Sequence, residues 1–144
     1  QALVNRTSYG YPKRAASGFD LNRLNLLVAM LERRTKLKLG EHDIYINIVG
    51  GMQIREPAAD LAVCLAIGSA AKGLQLKKNA VVFGEVGLSG EVRHVPHADK
   101  RVAEAKKLGF EGAIGTNTKG DRKLSGLNGV KDVRDALNKY LEKD

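Results

Sequence analysis

The sequence predicts an α+β domain of layered α/β type, and three observations carry that expectation. Segments whose apolar residues alternate along the chain are interleaved with segments whose apolar residues recur at helical spacing, so both kinds of element are present. Between residues 58 and 71 only Asp60 and Ser69 are clearly polar; a helix apolar all round is one covered on every side. The chain has 144 residues and is 43% hydrophobic, the size and composition of one domain that buries its own core, so residues 1–144 are expected to form a single domain.

The elements follow in order. Ala2, Leu3 and Val4 open the chain without a helix cap, as a strand met in mid-course would, and the sequence is expected to be a piece of a longer protein. Tyr9, Gly10, Tyr11 and Pro12 are loop residues, with Lys13 and Arg14 on or beside a turn. Asp20 is a good N-cap for a helix in which Leu21, Leu24, Leu27, Val28 and Leu31 share a stripe and Glu32, Arg33 and Arg34 charge the last turn. Ile44, Ile46 and Ile48 alternate as in a strand, which leads through Gly50 and Gly51 into the apolar helix. Pro57 suits that helix's first turn, and Asp60 is favoured there by the helix dipole, so any polar chemistry belongs at this end.

Residues 81–83 read as a strand and residues 84–95 as a hairpin with a two-residue Ser89-Gly90 turn between Leu88 and Glu91. Ala98, Val102, Ala105 and Leu108 share a helical face that Gly109 stops. Residues 110–115 give a short strand and 116–126 a loop, and a last helix capped by Asp132 carries Val133, Ala136, Leu137, Tyr140 and Leu141 on one face.

Composition narrows the function. Lys and Arg number 24 against 16 Asp and Glu, and a net charge of +8 favours either polyanionic partners or plain solubility. One cysteine, Cys64, excludes a disulfide framework and suits a reducing compartment. No stretch is apolar for the roughly 18 residues of a membrane span, and a cytoplasmic protein without a membrane partner is expected. Neither a P-loop nor a dinucleotide fingerprint occurs. His94, His97 and Asp99 are too few for a metal site, so none is expected. Cys64 and Ser69 are nucleophiles by type only, each inside the apolar helix without a neighbouring base. Cations gather at Lys13 and Arg14, Arg23, Arg55 and Arg93, and on the next helix at Lys100, Arg101, Lys106 and Lys107. Arg23, Arg55 and Arg93 each fall at an element edge, where a side chain can project to a partner. Few aromatics accompany them, which fits phosphate contact better than base stacking.

The runs SGFDLNRLNLLVAMLERR, GGMQIREPAADLAVCLAI and FGEVGLSGEVRHV, followed by a helix ending in LGF, together resemble the C-terminal domain of the bacterial RadA (Sms) family of DNA-repair proteins. That domain is similar to the proteolytic domain of Lon, so the resemblance implies a Lon-protease fold related to the second domain of ribosomal protein S5. Lon-type proteases use a Ser–Lys dyad, the serine lying in a G-P-S-A-G-like motif. The matching residues here are Glu56, Pro57, Ala58, Ala59 and Asp60, which places Ala58 at the nucleophile position, and the dyad lysine falls on Asp99. Lys100 beside it is turned about 100° around the helix. The resemblance therefore implies a domain that is not an enzyme.

Family members join a zinc finger and a RecA-like ATPase to this domain, act as DNA-dependent ATPases in branch migration, and form rings. The resemblance thus implies zinc, ATP and Mg in the parts outside this chain and no cofactor within it. It implies DNA and further copies of the chain, as a homohexamer, for partners. Arg23 in DLNR and Arg93 in GEVR are the first candidates for DNA contact, then Lys13, Arg14 and Arg55. Gln53 stands where relatives often carry a basic residue. Two other classes are a bare oligomerisation platform and a peptidase with an atypical dyad built on Ser69 or Cys64.

Overall fold

In the computed structural model, which describes residues 1–8, 10–116 and 124–143, strand β1 (Ala2–Arg6) is followed by β2 (Arg14–Ser17), helix α1 (Leu21–Arg34) and β3 (His42–Asn47). A short 3₁₀ turn at Pro57–Ala59 leads into α2 (Asp60–Lys72). Then come β4 (Gln75–Leu76), β5 (Ala80–Val82), β6 (Glu85–Val86), β7 (Val92–Arg93) and α3 (Ala98–Lys107). The described chain finishes with β8 (Gly112–Gly115), β9 (Leu127–Gly129), α4 (Val133–Tyr140) and β10 (Leu141–Glu142). The expected α+β architecture is present.

Two three-stranded sheets organise these elements. In the first, β3 is central, antiparallel to β1 with Ala2 opposite Ile46 and parallel to β2 with Arg14 opposite Ile44. Parallel neighbours need a crossover, and α1 supplies it. In the second, β8 lies between β5 and β9, all parallel. The short pairs β6 with β7 and β4 with β10 complete the pattern.

Helix α1 begins where its cap requires: the Asp20 carboxylate accepts from the Arg23 N–H at 2.9 Å. It ends at Thr35, whose N–H and hydroxyl both reach the Leu31 carbonyl. Helix α2 is the buried one. Leu61 and Ile67 have no exposed surface, and it packs against α1, α4, β1 and β6. Full burial of each such side chain stabilises by roughly 1.5–3 kcal/mol. The main core spreads from α2 to Leu24, Leu27, Leu31, Ile44 and Leu137, and a second small cluster of Phe83, Val102 and Ala113 lies under α3.

Several local expectations are corrected. Arg14, expected on or beside a turn, begins a strand with the residues after it, because β3 offers a parallel partner. The strand of residues 81–83 is shifted to Ala80–Val82, and the strand of residues 110–115 is shortened to Gly112–Gly115. The hairpin turn is a three-residue loop between Gly87 and Glu91: Gly90 donates to the Gly87 carbonyl and Gly87 to the Glu91 carbonyl, both at 2.9 Å, with Gly90 at φ 84°. Leu141 leaves the last helix and pairs with Leu76 instead. Tyr9 and most of the 116–126 loop lie outside the described residues.

Candidate nucleic-acid interface

The cations singled out from the sequence divide into those the fold consumes and those it leaves in water. Arg23 is consumed. Its capped position on the first turn of α1 points the side chain inward, where Nε donates to Asp60 Oδ1 at 3.1 Å, a terminal nitrogen reaches Asp60 Oδ2, and the same nitrogen donates to the Val86 carbonyl at 3.0 Å. Asp60 is 1% exposed and also accepts from the Val86 N–H at 3.1 Å. The hydrogen bond to Asp60 holds the Arg23 pKa above its ordinary value despite partial burial. This bidentate pair with its clip on Val86 ties α1, α2 and β6 together. The expectation that Arg23 projects to a partner is therefore corrected: its fork closes on a carboxylate 37 residues away in the chain.

Arg14 is consumed as well. Its guanidinium donates to the Lys13, Leu39 and His42 carbonyls, and burial draws its pKa below the ordinary value. Arg101, grouped by sequence with the exposed cations of its helix, folds back onto Glu56, the Pro96 carbonyl at 2.9 Å and the Phe83 ring at 5.7 Å. Arg93 is held halfway: exposed on β7, it lies between Glu85 at 4.0 Å and Glu91 at 3.5 Å, which offset its charge.

Lys13 and Arg55 remain in water. Lys13 uses only its backbone groups, its N–H bonded to Asp43 at 2.7 Å, and Arg55 has no ion pair or hydrogen bond among the described residues. Lys100, Lys106 and Lys107 are likewise exposed on α3. The five candidates lie on separate elements: the loop before β2, β2 itself, the start of α1, the loop before α2, and β7.

The positions that matter for acyl transfer are also placed. Ala58 is 4% exposed in the 3₁₀ turn, its carbonyl accepting from the Gly84 N–H at 2.8 Å, while Asp99 is exposed in the first turn of α3. Cys64 is 1% exposed, and burial pushes its thiol pKa far up. The Ser69 hydroxyl donates to the Leu74 carbonyl. Neither nucleophile type has a lysine bonded to it among the described residues. Among the described residues there is no group of three or more His, Cys, Asp or Glu placed to hold a metal ion, and no described helix is long and apolar enough to cross a membrane.

Sequence reading missed what Asp60 and Glu56 do, because each finds its arginine far away in the chain. A buried carboxylate demands a partner, and that was the one available signal for the first of them.

The chain matches the family model described as subunit ChlI of Mg-chelatase over residues 15–118. It is 44% identical, over 98% of its length, to the DNA repair protein RadA of Chlamydia pneumoniae, and 41% identical over 97% to that of Escherichia coli K12. The RadA of Aquifex aeolicus is 48% identical over 79% of the chain. The chain spans 32%, 31% and 26% of the lengths of these three relatives, respectively.

Proposed function

The chain belongs to the family described as subunit ChlI of Mg-chelatase and is a RadA-type segment over nearly all its length, and on that premise we propose that it serves DNA repair as a non-catalytic, Lon-like scaffold domain. The observation that carries the reading is the identity of 41–44% to repair proteins across 97–98% of the chain. In this reading the full-length protein is a DNA-dependent ATPase acting in branch migration, and its zinc and its ATP with Mg belong to the other two thirds. This domain contributes a ring platform, as a homohexamer, and phosphate contacts.

The non-catalytic reading is supported by the residues at the dyad positions. A methyl group at Ala58 cannot attack a carbonyl, and Cys64 is a protonated, buried thiol. Ser69 is committed to a backbone carbonyl.

DNA contact falls to cations that are not already paired. Lys13 and Arg55 carry it in place of Arg23 and Arg14, with the half-neutralised Arg93 a lesser contributor. Phosphate contacts of this kind make affinity fall steeply with salt. Binding of the chain to single- and double-stranded DNA across a salt series tests this: a Lys13→Ala plus Arg55→Ala variant should bind more weakly and flatten the log–log slope by about 1.5, two contacts at roughly 0.7–0.9 each. An unchanged slope would leave an oligomerisation platform without DNA contact, which sedimentation of the same samples would then have to support.

A further inference from the structure

At the far end of α1 and α2 from the Asp60 pair, the C-terminal residues of both helices meet the flank of α4 around a cleft of about 90 Å³. Lys36, Lys72 and Arg134 line it with Thr35, Asn138 and two leucines, and no acidic residue does among the described residues. None of the three cations has an ion pair or hydrogen bond among the described residues. The carboxylates of neighbouring turns are committed elsewhere: Glu32 accepts from the Leu39 and Gly40 N–H groups, and Asp135 binds Lys139 at 3.2 Å and the Lys131 N–H at 3.3 Å.

Cations near helix C-termini are ordinarily explained by the carbonyls and dipole there. Here one carbonyl at each helix end is already capped. Leu31 O accepts from Thr35 and Ser69 O from Gly73 and Leu74, and Arg134 sits in the first turn of α4, the end at which a cation is disfavoured. Three like charges around one small polar cleft, without a counter-charge, call for an anion. Size narrows its class: 90 Å³ is well below the roughly 300 Å³ at which pockets for drug-sized ligands begin.

We propose that this cleft binds a single phosphate group, held by Lys36, Lys72 and Arg134 with the Asn138 carboxamide as an additional donor. The site uses neither Lys13 nor Arg55 and does not rest on their binding DNA. Its phosphate can come from free phosphate or from a nucleic-acid backbone, and the two sources are separable.

The test is an NMR titration of the amide-labelled chain with inorganic phosphate against sodium chloride at matched ionic strength. Saturable shifts at residues 35–37, 72 and 134–138 with phosphate and not with chloride are expected. A Lys72→Gln plus Arg134→Gln variant should weaken them about tenfold or more, charge-assisted hydrogen bonds being the stronger kind, while Arg134→Lys retains part of the affinity. Both replaced side chains are exposed, and an unchanged thermal midpoint confirms that the variant is folded. A short single-stranded oligonucleotide that binds the cleft more tightly per phosphate identifies the backbone as the source, and equal binding identifies the free anion; either supports the site. The Lys13→Ala plus Arg55→Ala variant should titrate with phosphate like the unaltered chain, so failure of DNA binding and failure of this site are distinguishable. Shifts no larger with phosphate than with chloride, or a folded double variant that binds as well as the original, would overturn the proposal.

Discussion

The ground around the N-terminus of α2 and the ground beneath α3 are built on opposite terms. At α2 a carboxylate that is 1% exposed lies inside the large core, matched bond for bond by Arg23 and Val86. Beneath α3 the core is a handful of side chains around Phe83, Val102 and Ala113, and the polar links, such as Arg101 to Glu56, lie at the surface. The first arrangement is costly to disturb and leaves no charge for a partner. The second is shallow, and it leaves Lys100, Lys106 and Lys107 in water. A basic residue in this fold is thus structural or available according to whether an acceptor stands within reach: a buried carboxylate for Arg23, backbone carbonyls for Arg14, and a surface carboxylate for Arg101.

The sharpest way to break the comparison is at Asp60. Asp60→Ala leaves the Arg23 guanidinium and the Val86 N–H without their acceptor and should destabilise by about 3–5 kcal/mol, towards the lower end because Arg23 is partly solvated. Urea unfolding checks it. A loss below 1 kcal/mol would mean that the pair is ornamental. Next in size are the two cores themselves. Ile67→Ala, at a fully buried site in the large one, should cost roughly 2–5 kcal/mol, and Val102→Ala in the small one roughly half as much, because fewer atoms are removed from a thinner cluster. Equal costs would show that both regions respond as one packed unit.

The smallest effect is one of pH. Burial raises the Cys64 thiol above its ordinary 9.0, so below about pH 9 the thiol is protonated in both the folded and the unfolded chain and nothing changes. Above that, the unfolded chain gives up a proton that the folded chain keeps, and stability falls as pH rises, by at most about 1.4 kcal/mol per unit. Cys64→Ala should lose this part of the slope in chemical denaturation from about pH 8.5 to about pH 10, which spans the thiol's ordinary range.

What could be read from the sequence follows the range of the forces involved. The cap at Asp20 and the stripe of α1 from Leu24 to Leu31 are local patterns and stand where they were expected, whereas Leu21 is exposed and α2 is buried on most but not all sides, with Ala62, Ala66 and Ala70 half-buried and Ala71 exposed. β2 was not legible, since Arg14-Ala-Ala-Ser has no alternation and is a strand only because β3 lies beside it. The two-residue strands β4 and β10 exist by the same logic. At the candidate interface, the spacing of Arg23 correctly placed it at a helix start off the apolar stripe. Its inward turn depends on Asp60, a partner that periodicity cannot see.

The segment between β3 and α2 shows a different consequence of the fold. Ile48 donates to Ser17 at 2.9 Å and Ile54 to Gly18 at 2.7 Å, so both ends of the loop are fastened to adjacent residues at the end of β2. Gly18, at φ 80°, lies so close to the Met52 carbonyl that a β-carbon there would stand 2.3 Å from it, whereas Gly50 and Gly51 face open space. The stem is fastened by hydrogen bonds, and a β-carbon at the tip would meet no neighbouring atoms. Because the ends are already joined, doubling the length of such a loop costs only about 0.6 kcal/mol. The Gly50-Gly51 tip is therefore the position at which the domain can accept added sequence, whether by evolution or by a fused reporter, with little loss of its core.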